Sequence, residues 1–191
     1  MTDLAGRLMS LGYSRLFLSL DDDALDALLR EPRAAEALAA LVCDIGAEGK
    51  ARFLAAEVLF RKQPGYPSPA ETPLLAPIYA DALSHAELAN PWGMPGELDG
   101  PAGQHLVAIG RAAAVALVPL LDDAQAVIYG GSEEATIGNS YEYRVKDFAA
   151  FFIHCICGAP YSVRKTQPER DGEIARLRAS LLIKLQDRNN P

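Results

Sequence analysis

The chain has 191 residues, half of them hydrophobic and 23% charged, with a formal charge of −7. That length and apolar content suit a single domain with a substantial core, and they exclude a disordered chain. The acidic balance argues against nucleic acid as a partner, because neutralising phosphates needs a basic stripe.

The charge is unevenly spread. Residues 1–49 carry nine acids and four bases, 122–143 five acids and no base, and 161–191 seven bases and four acids. In the one basic stretch, Arg164, Lys165, Arg170, Arg176 and Arg178 are interleaved with Glu169, Asp171 and Glu173. Cys43, Cys155 and Cys157 make an odd count in apolar surroundings, which reads as reduced, buried thiols and not a disulfide framework. The N-terminus has an acid before its first base and only Leu16–Leu20 as an apolar run, so no signal peptide is expected. No run approaches the roughly 20 apolar residues of a membrane span, and a cytoplasmic location is the expectation.

Alanine and leucine dominate the apolar set and favour helix. Asp3 is expected to cap a helix to about Leu11 that stops at Gly12. Asp21 should cap a second over Asp22–Arg30, with Leu25, Leu28 and Leu29 on one face. Pro32 suits the first turn of a third, whose stripe Ala34, Ala37, Leu38, Leu41 and Val42 ends near Ile45. From Ala51 to Phe60 only Arg52 and Glu57 are polar, so that helix must be covered on several sides. Arg61 and Lys62 suit its last turn, and Pro64–Gly65 end it.

After a proline-rich connector at 64–72, Thr72 is expected to cap a helix that opens at Pro73 and Pro77 and runs to about Leu88. A second connector, 90–101, precedes GQHLVAIGRAAAVALV, residues 103–118, which reads as the central helix. Residues 124–143 break the pattern. Their β-branched and aromatic content, with turn signals at Gly130–Gly131 and Gly138–Asn139, predicts a loop or short β-hairpin. Helix resumes from about Arg144 to Gly158. A final one from about Pro168 turns Ile174, Leu177, Leu181, Leu182 and Leu185 inward.

Three segments carry a family resemblance. VALVPLLDD (Val115–Asp123) is similar to the first helix of a HEAT repeat, with a proline inside an apolar run and acids at its end. YRVKDFAAFFI (Tyr143–Ile153) and KARFLAAEVL (Lys50–Leu59) resemble the second helix, a charged opening followed by an Ala-Ala pair. The two pairs, Ala55–Ala56 and Ala149–Ala150, lie far enough apart for two repeats of about 47 residues. The resemblance covers about 32–158 and implies an all-α fold, an irregular HEAT-like stack of helical hairpins (an α-α superhelix) with one long inserted loop or small β-hairpin at about 124–143. It is read as a single domain, 1–191. Short N-terminal helices fill 1–31, the HEAT-like core 32–158, and a connector and helix 159–191.

The insert is the main candidate site, since loops on rigid supports often carry function. Tyr129, Glu133, Glu134, Asn139, Tyr141, Glu142 and Tyr143 combine aromatic area with anionic and hydrogen-bonding groups, a set that suits a basic protein partner. The competing reading is a crossover packed on its own domain. Trp92, in a Pro/Gly loop, is either a partner anchor or a plug for the core.

Glu133 and Glu134 as adjacent loop carboxylates would point apart, with no histidine or lysine beside them, so they make a poor acid–base pair. His154, Cys155 and Cys157 fall short of the four ligands of a closed zinc site, and no metal or other cofactor is expected. The His-Glu pairs of HEAT-like metal hydroxylases and the basic face of HEAT-like glycosylases have no counterpart. Neither a phosphate-cradling glycine loop nor a nucleophile elbow occurs. The expectation is a non-catalytic protein-binding module, in its most concrete form a stoichiometric inhibitor or immunity-type protein. The alternative is an enzyme or ligand carrier with a groove site built from Glu133, Glu134, Tyr141 and Arg144.

Overall fold

Asp3 does cap the first helix. Its Oδ1 accepts from the Gly6 amide at 2.9 Å, and the helix breaks at Gly12, which sits at φ +66°. A computed structural model describes residues 3–18, 23–131 and 133–186, and among them there are ten α-helices and no strand. They are α1 Leu4–Tyr13, α2 Asp23–Leu29, α3 Ala34–Cys43, α4 Gly49–Lys62, α5 Thr72–Ser84, α6 Pro101–Ile109, α7 Arg111–Leu117, α8 Glu133–Asn139, α9 Val145–Cys157 and α10 Gln167–Gln186. The fold is all-α. The proposed cap at Asp21 lies outside the described residues, as do the side chains of Leu182 and Leu185.

The helices follow one another in a row: α3 packs on α4, α4 on α5, α5 on α7, α7 on α9 and α9 on α10. Helix α1 lies against α4, and α6 crosses α4, α5 and α9. The most enclosed elements are α4, buried at Ala51 and from Phe53 to Leu59, and α9, buried at Val145 and from Asp147 to Ile153. Both hold a buried alanine pair, Ala55–Ala56 and Ala149–Ala150. No single helix among the described residues is long and apolar enough to cross a membrane.

Four expectations are corrected. Residues 103–118 are not one central helix, because Gly110 at φ +77° ends α6 and begins α7, and α6 is bent by 108° from the helical run Arg111–Asp122 that α7 opens. Thr72 is the first helical residue of α5 and not its cap; its hydroxyl donates to the Pro69 carbonyl. Helix α5 stops at Ser84, where the His85 amide and ring take the Asp81 carbonyl, and Leu88 instead pairs with Ile128. Cys43 and Cys157 are exposed and Cys155 is half-buried, and burial raises the pKa of the Cys155 thiol.

Of the two forms foreseen for 124–143, the loop is the one seen, with helix α8 inside it. Its first half is extended and tied on both edges. The amides of Val127, Val145 and Lys146 donate to the carbonyls of Tyr143, Gln125 and Asp123, each at 2.9 Å. On the other side the Ala89 amide donates to Ile128 at 2.8 Å. The segment is thus a crossover seated on its own domain.

Candidate functional site

Two asparagines clamp the seated segment. Asn139 Oδ1 accepts from the Tyr129 amide at 2.8 Å, while its Nδ2 donates to the Tyr129 carbonyl at 2.9 Å. Asn90 treats Gly130 the same way, at 2.9 and 3.0 Å. Each side-chain amide mimics a neighbouring strand, satisfying backbone groups that would otherwise be left in a half-buried site. Gly138 closes the arrangement, since a Cβ there would run into the Tyr129 ring.

The clamp decides where the sequence-predicted residues point. Trp92, Tyr129 and Tyr143 retain only 3%, 7% and 1% of their surface, so their reading as surface anchors is corrected. Trp92 stacks on Phe53 inside the core, the Tyr129 hydroxyl donates to the Gly93 carbonyl at 2.8 Å, and Tyr143 lies under the Arg170 guanidinium. Tyr141 is half-buried, stacked flat on Tyr143. Asn139 and Glu142 are exposed. Glu133 and Glu134 open α8, and their side chains lie outside the described residues. The segment also exposes two apolar side chains, Ile128 at 58% and Ile137 at 57%, and Leu88 is bridged to Ile128.

Arg144 belongs to a network that holds the segment's end. Asp147, fully buried, accepts from the Arg144 amide at 2.9 Å and from its guanidinium at 3.0 and 3.1 Å. Arg170 of α10 brings Nε within 3.1 Å of the same carboxylate, at an angle too oblique for a hydrogen bond. Its other nitrogens donate to the carbonyls of Tyr141, Glu142, Arg164 and Lys165. Asp171 adds contacts to Arg144 at 2.9 Å and Lys146 at 2.8 Å. The Lys146 hydrogen bond first, and then that from Arg144, hold its carboxyl below the usual range against the opposing effect of burial. With both arginines committed, this cluster fastens α10 and the insert to α9.

A second polar cluster lies within the helical row, and sequence reasoning passed over it. Buried Glu57 of α4 accepts from the hydroxyls of Tyr13 at 3.0 Å and Tyr79, and its Oε1 lies 2.8 Å from His105 Nδ1. Four helices, α1, α4, α5 and α6, therefore meet on one carboxylate. Burial first, and the Glu57 charge second, push the Tyr13 and Tyr79 phenols far above their ordinary value. The signal was present: a lone carboxylate in an apolar helical run must find donors.

Beside this cluster opens a groove of about 560 Å3, walled by α1, α5 and the connector after it. Tyr13, Phe53 and Trp92 form its floor; Glu48, Lys50, Asp81, His85 and Glu87 stand at its rim. Neither Tyr141 nor Arg144 lines it. Among the described residues no group of three or more His, Cys, Asp or Glu side chains is arranged to hold a metal ion. His154 has its Nδ1 buried without a hydrogen-bond partner, and its ring meets Tyr161 edge-on.

No family model matches the chain, and neither does any curated protein or solved structure.

Proposed function

We propose that the chain is a non-catalytic protein-binding module, and that its recognition face is the clamped segment with α8. One observation carries this reading: Ile128 stands 58% exposed on a backbone fastened by two asparagine side chains and by main-chain bonds on both edges. A hydrophobic side chain held in place, with little conformational freedom left to lose, is an economical binding anchor. The five acids and no base of residues 122–143 favour a basic partner, and Glu142 is exposed there. A stoichiometric inhibitor, such as an immunity protein that neutralises a basic toxin, is the most concrete form of this reading. The finer structural reading is HEAT-like, with α4 and α9 as the second helices of two repeats; the row of packed helices supports it.

The test is partner capture by the wild type, by Ile128→Asp/Ile137→Asp and by Val115→Asp, a control on exposed Val115 of α7. The reading expects binding that weakens with salt, is lost in the double variant and is retained in the control. Equal recovery by all three would contradict it.

A further inference from the structure

We propose that the groove between α1 and α5 takes a cationic amphipathic helix of a partner protein. One apolar side chain would rest on the floor at Phe53 and Trp92, with lysines or arginines against the rim. This goes beyond the α8 face: the groove is lined by other residues and meets that face only where Leu88 pairs with Ile128.

The floor sets the apolar half of the ligand. Phe53 stacks on both Tyr13 and Trp92, with centroids 6.0 and 5.7 Å apart and planes within 15° and 17°. The ring faces are engaged with one another, so the floor is not an aromatic cage for a bare ammonium group. Met9, Leu11, Ala82, Ala86 and Leu88 extend the apolar wall.

The rim sets the charge. Three carboxylates, Glu48, Asp81 and Glu87, face one ammonium, that of Lys50, which Glu87 already holds at 3.1 Å. His85 lies against Asp81, its Nδ1 2.9 Å from the carbonyl and 3.4 Å from the carboxylate. The negative excess repels an acidic ligand and favours a basic one.

Extent separates a helix from a small molecule. A volume of about 560 Å3 suits either. Leu88, however, is both part of the groove wall and the bridge partner of exposed Ile128, so apolar surface continues past the groove. A small cation would leave that strip wet. A helix carrying anchors at i, i+3, i+4 and i+7 covers it.

Trp92 is the chain's one tryptophan and part of the floor, so its fluorescence reports on this site. The full chain is titrated with a tryptophan-free helical peptide carrying leucines at that spacing and lysines elsewhere. The same peptide with glutamates for lysines, and phenyltrimethylammonium, are titrated in parallel. The lysine peptide should shift Trp92 emission saturably, and its affinity should fall about tenfold or more in Glu48→Lys/Glu87→Lys. Ala82→Phe, which fills the groove from a half-buried wall position, should abolish the shift while circular dichroism shows the fold intact. Four outcomes overturn the proposal: no Trp92 response; equal binding of the glutamate peptide; saturation by phenyltrimethylammonium with displacement of the peptide; or a concentration-dependent shift of the chain alone, which would make a second copy the occupant. Each leaves the capture test on Ile128 and Ile137 standing, and failure of that test leaves this one standing.

Discussion

At the scale of single residues, buried carboxylates organise the interior. Glu57 accepts from two phenols and lies beside an imidazole on three other helices. Removing the acceptor strands all of them, whereas removing one phenol strands little. Glu57→Leu should therefore cost about 3 kcal/mol or more, and Tyr13→Phe about 1 kcal/mol, in urea unfolding. The phenols give a pH prediction of definite sign. Burial raises the folded-state values of Tyr13, Tyr66, Tyr79, Tyr129 and Tyr161, and lifts Tyr143 to about 12. Above the ordinary value near 10 the unfolded chain loses these protons while the folded chain keeps them. Stability is then fully present below pH 10 and falls as pH rises beyond it, by up to about 1.4 kcal/mol per pH unit for a ring as enclosed as Tyr79 and by less for those that water screens. Chemical unfolding at pH 9 and pH 11 measures the difference. Equal stability at the two would contradict the burial of these rings.

At the scale of elements, α9 shows what a sequence does and does not disclose. Its helical span and the burial of Ala149–Ala150 were legible, because an apolar run behind a charged opening has few other fates. Arg144 looked available for chemistry; its bonds to Asp147, three positions on, are local, but its second partner, Asp171, lies 27 positions away on another helix and was not legible. Asp147→Ala should destabilise by about 3–5 kcal/mol, since two buried arginines lose their shared counter-charge, and α10 amides should exchange faster in that variant. The joint between α6 and α7 teaches the reverse. GQHLVAIGRAAAVALV has continuous helical character, and only the positive φ of Gly110 divides it. Gly110→Ala should cost about 1 kcal/mol or more, because no alanine adopts that conformation freely.

At the scale of the whole molecule, a row of packed helices carries a tied-down segment on one side and a groove beside it. The all-α class was readable from composition and periodicity. The groove was not, since its walls come from residues 9–14, 48–53 and 81–92, which no local pattern joins. The insert was readable as unusual, but its tyrosines gave the wrong impression: two of them turn inward because Asn139 and Gly138 draw Tyr129 down and Arg170 covers Tyr143. The account rests on that segment being a fixed surface, and amide hydrogen exchange reads this most directly. The amides of Val127, Tyr129, Gly130, Val145 and Lys146 should be protected to an extent comparable with the middle of α9. Exchange of Val127, Tyr129 and Gly130 at the rate of an unstructured chain, with α9 still protected, would contradict it.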